Sequence, residues 1–358
     1  MKLGIIGLPG AGKTTIFNAL TGDSAPAGRS VGGRFDVITA VVDVPDSRVD
    51  RLARHYQPKK VTYAKVTYAD VAGLQKGVGQ SDALSGPIVN HLSGLDGFLH
   101  VVRAFENAQF PHADGSVDPR RDLEALETEL LLIDLVVVEA RIERLQEGLT
   151  KGAIKDRTAA QLELALFERL QHALSDEIPL RHLTLSAEER RTLRGYGLLT
   201  LKPVLVVVNI GDEQEEVTLP YAFNNTAVVN LRGKLEAELA QLDDEDLALF
   251  MAEYGVEERG LARTIALSYD LLGLQSFFTV GEDEVRAWTI SAGATALEAA
   301  ATIHTDLSKG FIRAEVVPYD VLLDLGSLAA ARTAGKLRLE GKQYVVQDGD
   351  IVHVKFNL

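Results

Sequence analysis

Short apolar runs alternate with glycine-rich loops and helical stretches through the first third of the chain. An apolar run of about four to eight residues bounded by turn residues is typical of a buried strand, and such strands separated by helical patterns indicate an α/β domain. The same texture returns after Lys202-Pro203. The predicted strands are residues 2–6, 37–42, 65–71, 98–105 and 204–208.

A long helical pattern separates the two α/β stretches. It opens at Asp118-Pro119, which suit the N-cap and the first helical position. Apolar residues keep one helical face over residues 123–149, stop at Lys151-Gly152-Ala153 and resume over residues 162–174, which predicts an antiparallel helical pair. We therefore predict one α/β domain, residues 1–117 and 200–273, interrupted by a helical hairpin, residues 118–199.

The last part of the chain shows both strand and helix patterns, which predict a third unit. Residues 295–298 form a capping box before a predicted helix. Residues 342–346 and 351–356 are predicted to pair as a hairpin around the Asp348-Gly349 turn. Strands with a single helix favour a small β-grasp domain over residues 274–358.

Composition limits the classes of protein to which the chain can belong. The chain has 358 residues, more than one domain normally holds, and its 46% hydrophobic and 25% charged residues are ordinary for globular proteins. The absence of cysteine excludes disulfides, thiolate metal sites and cysteine nucleophiles. Without a signal peptide or a membrane-length apolar run, we expect a soluble cytoplasmic protein with no membrane partner. A net charge of −14 argues against a protein that coats nucleic acid, although a local basic patch can still contact RNA.

Residues 7–14 read Gly-Leu-Pro-Gly-Ala-Gly-Lys-Thr, a complete G-x-x-x-x-G-K-T phosphate-binding loop between a predicted strand and a predicted helix. The glycines let backbone N–H groups surround phosphates, and the helix N-terminus adds a positive dipole end. Lys13 is expected to reach the outer phosphates as a catalytic residue, and the Thr14 hydroxyl to ligate Mg²⁺. The predicted nucleotide-binding residues of this loop are Pro9, Gly10, Ala11, Gly12, Lys13, Thr14 and Thr15.

Asp70 begins a D-x-x-G motif at the end of a strand predicted over residues 63–69. Its carboxylate can hold Mg²⁺ through water, and the N–H of Gly73 can contact a γ-phosphate and so sense its loss. Leu74 stands where many switch GTPases carry a water-orienting glutamine, and Gln75 is one position late. The glutamine mechanism is therefore absent.

Asn209-Ile210-Gly211-Asp212 follows the strand predicted over residues 204–208, where GTPases carry the N-K-x-D motif. In that motif the aspartate accepts hydrogen bonds from N1–H and the 2-amino group of guanine, and the lysine stem covers the base. Ile210 replaces the lysine here, so the choice between ATP and GTP stays open. We predict that Asn209, Ile210 and Asp212 bind the nucleotide.

Further motifs lie at residues 17–21, 44–48, 70–74, 100–107, 199–203, 284–290, 303–307 and 309–314. Together with the phosphate loop they resemble, nearly from end to end, the motifs of the YchF or Obg-like ATPases, which are translation-factor-related P-loop NTPases. The resemblance implies a P-loop NTPase domain with a helical (coiled-coil hairpin) insertion and a C-terminal TGS β-grasp domain. It also implies slow hydrolysis of ATP or GTP with Mg²⁺, and binding to ribosomes or the translation apparatus.

The resemblance offers His100 as the residue that assists catalysis, with packing in an apolar strand as its alternative role. The family prefers ATP through an N-x-x-E motif; Asp212 departs from that glutamate while Ile210 keeps the lack of lysine, which favours ATP slightly. Arg34 stands where a threonine would ligate Mg²⁺, so hydrolysis could be impaired or Arg34 could contact phosphate. The leading hypothesis is a slow switch on ribosomes or translation factors, and the alternative is a nucleotide-sensing adaptor that hydrolyses little.

Other polar clusters favour ordinary structural roles. His112 and the remaining histidines lack ligand spacing, and the acidic run from Asp243 to Asp246 suits a solvated helix start. Basic residues near the tip of the helical insertion either pair with the glutamates at 139, 143 and 147 or, with the TGS domain, contact RNA or a partner. These basic residues are Arg141, Arg144, Lys151, Lys155 and Arg157.

Overall fold

The computed structural model describes residues 1–22, 28–31, 36–72, 86–221, 225–254 and 259–357. The predictions made for Arg34, Gly73, Leu74 and Gln75 lie outside these residues. The chain divides into two compact units, the first comprising Met1–Val41 and Thr67–Leu261 and the second comprising Val42–Val66 and Ala262–Leu358.

Strands and helices alternate along the described chain, as the sequence predicts for an α/β protein. The strands are β1 (Lys2–Ile6), β2 (Gly28–Val31), β3 (Asp36–Asp43), β4 (Lys60–Thr62), β5 (Lys65–Ala72), β6 (Gly97–Arg103), β7 (Val204–Asn209), β8 (Thr226–Leu231), β9 (Leu274–Thr279), β10 (Glu284–Ser291), β11 (Phe311–Pro318), β12 (Arg338–Glu340) and β13 (Asp350–Phe356). The helices are α1 (Lys13–Thr21), α2 (Ser47–Tyr56), α3 (Gly86–Ser93), α4 (Pro119–Thr150), α5 (Arg157–Ser175), α6 (Ala187–Leu193), α7 (Gly233–Leu239), α8 (Asp244–Tyr254), α9 (Gly260–Leu271), α10 (Ala296–Ile303), α11 (Thr305–Lys309), α12 (Tyr319–Leu325) and α13 (Leu328–Thr333). No helix of the described residues is long and apolar enough to cross a membrane.

The first unit is built on a sheet with the strand order β2-β3-β5-β1-β6-β7-β8. β1 runs parallel to β5 and β6, and β6, β7 and β8 continue in the same direction, whereas β2 is antiparallel to β3. Every residue of β6 and β7 is buried, which is why these parallel central strands appear in the sequence as continuous apolar runs. Arg103 and Asn209 end these two strands side by side in register.

The helical insertion predicted between the two α/β stretches is confirmed. The Asp118 carboxylate caps α4 by accepting hydrogen bonds from the backbone N–H groups of the next turn, and Asp156 caps α5 in the same way. Ser186 and Glu189 form the reciprocal capping box at the start of α6. The run from Asp243 likewise caps a helix, because the Asp243 carboxylate accepts from two N–H groups of α8.

A buried carboxylate in the middle of α4 ties the insertion to the chain that leads into β7. Asp134 is 1% exposed and accepts hydrogen bonds from the N–H groups of Leu199 and Thr200 and from the Thr200 hydroxyl, at 2.8, 2.7 and 2.6 Å. A buried carboxylate with three donors is well satisfied, so this contact fixes the middle of α4 to the segment before β7.

Two of the five basic residues near the tip of the insertion are ion-paired. Lys151 Nζ lies 2.9 Å from a Glu147 carboxylate oxygen, as one of the sequence alternatives expects. Arg141 instead pairs with Glu163 of α5 at 2.8 Å. The other three are exposed and make no ion pair with any described residue: Arg144, Lys155 and Arg157.

The second unit holds a mixed sheet with the strand order β12-β11-β13-β9-β10-β4. β9 and β10 are antiparallel, β13 is antiparallel to β11, and β13 meets β9 in parallel. The capping box predicted at residues 295–298 is present at the start of α10. The described residues after 274 contain four short helices, α10 to α13, and not the single helix that the sequence predicts. The β-grasp and TGS identity of this part stays a prediction.

The hairpin predicted around the Asp348 turn is wrong. Residues 342–346 form no strand, and Val345 makes an isolated bridge with Thr295. The Asp348 carboxylate accepts a hydrogen bond from the N–H of Ser276 at 2.9 Å, which ties the turn to β9. Since β13 already has β9 and β11 as neighbours, it has no free edge for the preceding segment.

Residues 42–66 pack with the C-terminal part of the chain. β4 pairs in parallel with β10, the Thr62 hydroxyl donates to the Glu284 carboxylate at 2.6 Å, and His55 Nε2 lies 2.6 Å from the Gly326 carbonyl oxygen. The predicted domains placed this segment with the nucleotide-binding domain and began the last domain at 274. The boundaries of the compact units differ from the predicted domain boundaries because these pairings join residues more than two hundred positions apart. No local sequence pattern contains information about such pairings.

Candidate nucleotide-binding site

Lys13 is the first residue of α1 and folds back over the phosphate-binding loop. Its Nζ donates hydrogen bonds to the carbonyl oxygens of Gly7 at 2.9 Å and Leu8 at 3.0 Å. Burial lowers the pKa of Lys13, and the negative charge of Asp70 partly offsets that effect. The ammonium is therefore held at the loop, where it can attract phosphate oxygens.

The loop itself depends on glycine at three positions, Gly7, Gly10 and Gly12, and a Cβ atom at Gly7 would collide with the Val101 carbonyl oxygen. Gly10 and Gly12 have φ values of 79° and 94°, in the left-handed region that favours glycine. A Cβ atom at Gly12 would also collide with the Asn209 side chain. No side chain among the described residues caps α1, so the first N–H groups of this helix, including those of Thr14 and Thr15, are available to an anion.

Thr14 and Asp70 bring two oxygen atoms together beside Lys13. The Thr14 hydroxyl donates to Asp70 Oδ2 at 3.1 Å. Asp70 lies inside β5, whereas the sequence predicts it just after the end of the strand. Burial raises the pKa of Asp70, while the hydrogen bond from Thr14 and the charge of Lys13 act in the opposite direction. A hydroxyl and a carboxylate are oxygen ligands of the kind that Mg²⁺ takes, so the residues present fit this ion.

Asn209 connects the phosphate loop to the region predicted to bind the base. Its Nδ2 donates to the carbonyl oxygen of Ala11 at 3.0 Å, and its Oδ1 accepts from the N–H of Gly233 at 3.1 Å. The side chain is 4% exposed. Because both ends of the amide are used, Asn209 fixes the phosphate loop relative to the start of α7.

Asp212 and Ile210 take very different positions. Ile210 is 3% exposed, whereas the Asp212 side chain is 38% exposed and lies 3.6 Å from Lys234 Nζ. Arg232 Nε donates to the backbone carbonyl of Asp212 at 2.9 Å and its Nη2 to that of Gln214 at 3.1 Å. The carboxylate thus faces solvent with an ammonium beside it, an arrangement that the N-K-x-D pattern alone does not predict.

Comparison with known proteins places this geometry in a family. The 50S ribosome-binding GTPase family (MMR_HSR1) matches residues 2–138, and the YchF-GTPase_C family, described as a protein of unknown function, matches residues 274–357. The Ribosome-binding ATPase YchF of Bacillus subtilis is 40% identical over 370 residues, covering 100% of both chains. Its counterpart in Escherichia coli O157:H7 is 41% identical over 365 residues, covering 100% of this chain and 99% of that one. The chain belongs to the YchF family.

A solved structure agrees with this membership. The structure of the Schizosaccharomyces pombe YchF GTPase matches with a TM-score of 0.87 and 34% identity, covering 99% of this chain and 97% of that one. The α/β fold with a P-loop domain, a helical insertion and a C-terminal domain is therefore confirmed. Together with the phosphate-loop geometry, membership makes this YchF-family chain a P-loop nucleoside triphosphatase.

His100, the catalytic residue suggested by the resemblance, lies in the middle of β6. It is 3% exposed, and its ring makes no hydrogen bond with any described residue. Burial lowers the pKa of His100 to about 3, and the positive charges of Arg181 and Lys13 contribute in the same direction. The ring is therefore neutral near pH 7 and held rigidly by strands on both sides.

His112 is a second histidine near the loop, and the sequence predicts a surface or packing role for it. Its Nε2 lies 2.8 Å from Asp122 Oδ2, and its Nδ1 accepts from the N–H of Asp114 at 3.2 Å. Arg121 pairs with Asp122 at 2.9 Å, so a positive charge already occupies this cluster and opposes a metal ion there. His100 and His112 line one small void that reaches the phosphate loop at Leu8, Pro9 and Ala11.

Proposed function

We propose that this YchF-family chain is an Mg²⁺-dependent purine nucleotide hydrolase, with ATP slightly favoured over GTP, that acts as a slow regulatory switch on ribosomes or translation factors. The observation that carries the proposal is the joint placement of Lys13, Thr14 and Asp70 at the phosphate loop. The printed names of the bacterial relatives, which describe ribosome-binding ATPases, support the choice of partner. The exposed basic residues at the insertion tip support an additional contact with RNA.

Positioning and neutralisation of charge supply most of the catalysis in phosphoryl transfer. Lys13 binds the outer phosphates, and the backbone N–H groups of the loop and of α1 surround them. Thr14 and Asp70 would hold Mg²⁺, directly and through water respectively, and the ion supplies neutralisation of the charge on the phosphate oxygens. Asn209 keeps the phosphate loop and the start of α7 in their relative positions while the nucleotide is bound.

Base choice follows from Ile210 and from the pair formed by Asp212 and Lys234. Guanine needs a free carboxylate to accept its two N–H donors, and Lys234 competes for that carboxylate. Ile210 is buried in the core and brings no lysine stem to cover the base. Both features remove the usual advantage of guanine, which supports the slight preference for ATP.

Single-turnover phosphate release, measured side by side with ATP and GTP and with Mg²⁺, tests the proposed function. We expect the bound nucleotide to be hydrolysed completely but slowly, with tighter binding of ATP than of GTP. Lys234→Met is the matched specificity variant, and we expect it to move the preference towards GTP because it frees Asp212. Retention of intact nucleotide would instead favour the adaptor alternative, and tighter GTP binding by the unmodified chain would overturn the base assignment.

The two histidines at the void are expected to contribute unequally to hydrolysis. His112 lies in an irregular segment, so its ring can exchange its contacts with Asp122 and the Asp114 N–H for an attacking water, whereas His100 is fixed in β6. We expect His112→Asn to slow single-turnover hydrolysis about tenfold or more, a usual loss for a residue that orients or deprotonates the nucleophile. His100→Asn, measured in parallel, is expected to affect the rate less.

Nucleotide affinity provides the control for this comparison, because both variants keep Lys13 and the phosphate loop. Hydrolysis at the normal rate in His112→Asn would remove His112 from the mechanism. A larger loss in His100→Asn, with unchanged affinity, would support the role that the family resemblance implies for His100.

A further inference from the structure

Arg103 is a buried cation that the functions described above leave unexplained. It ends β6 and is 3% exposed. Its Nε donates to the Phe105 carbonyl oxygen at 3.0 Å and its Nη2 to the Phe110 carbonyl oxygen at 2.8 Å. The guanidinium carbon lies 4.8 Å from the centroid of the Phe105 ring. Two of the three guanidinium nitrogens are therefore fixed by the segment that follows the strand.

The third nitrogen, Nη1, makes no hydrogen bond with any described residue, and Arg103 forms no ion pair with a described carboxylate. A buried guanidinium is costly unless its charge is compensated. Two carbonyl dipoles and one aromatic face reduce that cost without supplying a negative charge. The remaining positive charge makes this position complementary to an anion.

The geometry around Nη1 shows where that anion would bind. A Cβ atom built on Gly10 would lie 3.2 Å from Nη1, so the free nitrogen lies beside the phosphate loop. Arg103 and the loop residues Pro9 and Ala11 line the same void. The phosphate loop is the part of this chain built for phosphate oxygens, because its N–H groups and the N-terminus of α1 converge there.

Arg103 ends β6 at the edge of the sheet where an N-K-x-D motif carries its lysine. Arg103 is the direct neighbour of Asn209, the residue that precedes Ile210. In an N-K-x-D motif, position 210 would bring a lysine to this edge of the sheet, and Ile210 brings no charge. Arg103 supplies a cation at the same edge from the adjacent strand.

We propose that Arg103 is a phosphate-binding residue whose Nη1 donates to a phosphate oxygen that ADP and ATP have in common; this inference rests on the proposed function. Because Nε and Nη2 are fixed before the nucleotide binds, the guanidinium is preorganised. It strengthens binding of ADP and ATP alike and does not act selectively on the transition state. Its loss therefore raises dissociation constants and leaves the rate of the bound nucleotide nearly unchanged.

The experiment compares the full chain with Arg103→Met and Arg103→Lys. Loss of one charge-assisted hydrogen bond is expected to raise the dissociation constants of ADP and ATP by about 10- to 100-fold in Arg103→Met. Arg103→Lys keeps the charge and loses the planar fork. We expect its dissociation constants to lie between those of the unmodified chain and those of Arg103→Met. Single-turnover hydrolysis at saturating ATP should change by less than about threefold. Arg169→Met, which removes an exposed cation paired with Glu189, is the control and should bind ADP normally.

Four results would overturn or redirect this assignment. Unchanged ADP affinity in Arg103→Met overturns it at a normal rate of hydrolysis. Unchanged ADP affinity together with slow hydrolysis also overturns it and would mark a catalytic arginine instead. If Arg103→Met does not fold, the ADP affinity of Arg103→Lys decides. An affinity equal to that of the unmodified chain overturns the proposal, and a weaker affinity supports it. Absence of ADP and ATP binding in the unmodified chain would overturn the proposed function itself, whereas loss confined to the Arg103 variants supports the inference.

Discussion

Replacing Lys13 with alanine is expected to abolish measurable nucleotide binding. The ammonium already sits at the loop, 2.9 and 3.0 Å from two carbonyl oxygens, and it exchanges those partners for phosphate oxygens when a nucleotide binds. Two hydrogen bonds to a charged group contribute about 1.5–3 kcal/mol each, so their loss weakens binding about 10²- to 10⁴-fold. Equilibrium titration with ADP and ATP in the presence of Mg²⁺ measures this directly.

Lys59→Ala is the matched control, because it removes an exposed lysine paired with Asp283 and lies outside the site. We expect it to bind both nucleotides normally. Near-normal affinity in Lys13→Ala would show that residues 7–14 are not the phosphate site, and the assignments of Thr14 and Asp70 would fall with it. Thermal unfolding without nucleotide separates loss of binding from loss of folding, since Lys13 is half-buried.

Much of the fold could be predicted from the sequence because its signals are local. The phosphate loop needs a strand before it and a helix after it, and both are present as β1 and α1. Continuous apolar runs predicted the central strands because both faces of a parallel sheet are covered. Caps at Asp118, Ser186 and Thr295 predicted helix starts because a side chain there satisfies N–H groups only a few residues away.

The features that the sequence did not predict depend on tertiary contacts that no local pattern contains. The segment 42–66 joins the second unit through β4 and β10, and the Asp348 turn is fixed by β9 rather than by a hairpin partner. His112 and Asp122 are ten positions apart and meet because the intervening loop folds back onto α4. Apolar and capping patterns carry no information about such pairings, so they had to be observed.

The nucleotide site depends both on a local motif and on contacts that the sheet brings together. Lys13 follows from a motif, whereas the support of the loop by Asn209 and the approach of Arg103 follow from the sheet, in which β1, β6 and β7 end at one edge. Ligands bind at the carboxyl ends of parallel strands because several loops converge there. The phosphate loop is thus held from its own helix and, through Asn209, from β7, while Arg103 on β6 brings a cation to the edge where Ile210 stands in place of a lysine.

The second large effect is expected at Arg181, in the 3₁₀ turn Leu180–His182 at the base of the insertion. Arg181 is 2% exposed; its guanidinium contacts the carboxylate of Glu127 on α4 and the hydroxyl of Tyr221, and Nη1 donates to the Thr200 carbonyl oxygen at 3.3 Å. Removing one partner of a buried ion pair leaves the other charge uncompensated. Arg181→Met is therefore expected to lower the free energy of unfolding by about 3–5 kcal/mol.

Two further variants show whether burial is the cause. Arg141→Met breaks the partly exposed pair with Glu163 in the same insertion, and we expect it to cost only about 1 kcal/mol or less, because solvent screens that pair. The double variant Arg181→Met/Glu127→Leu removes both buried charges and is expected to regain most of the lost stability, since apolar residues can replace a buried pair at little cost. Urea denaturation of the nucleotide-free proteins measures all three. Equal losses in Arg181→Met and Arg141→Met, or no recovery in the double variant, would mean that packing of the side chain stabilises the base of the insertion and its charge does not.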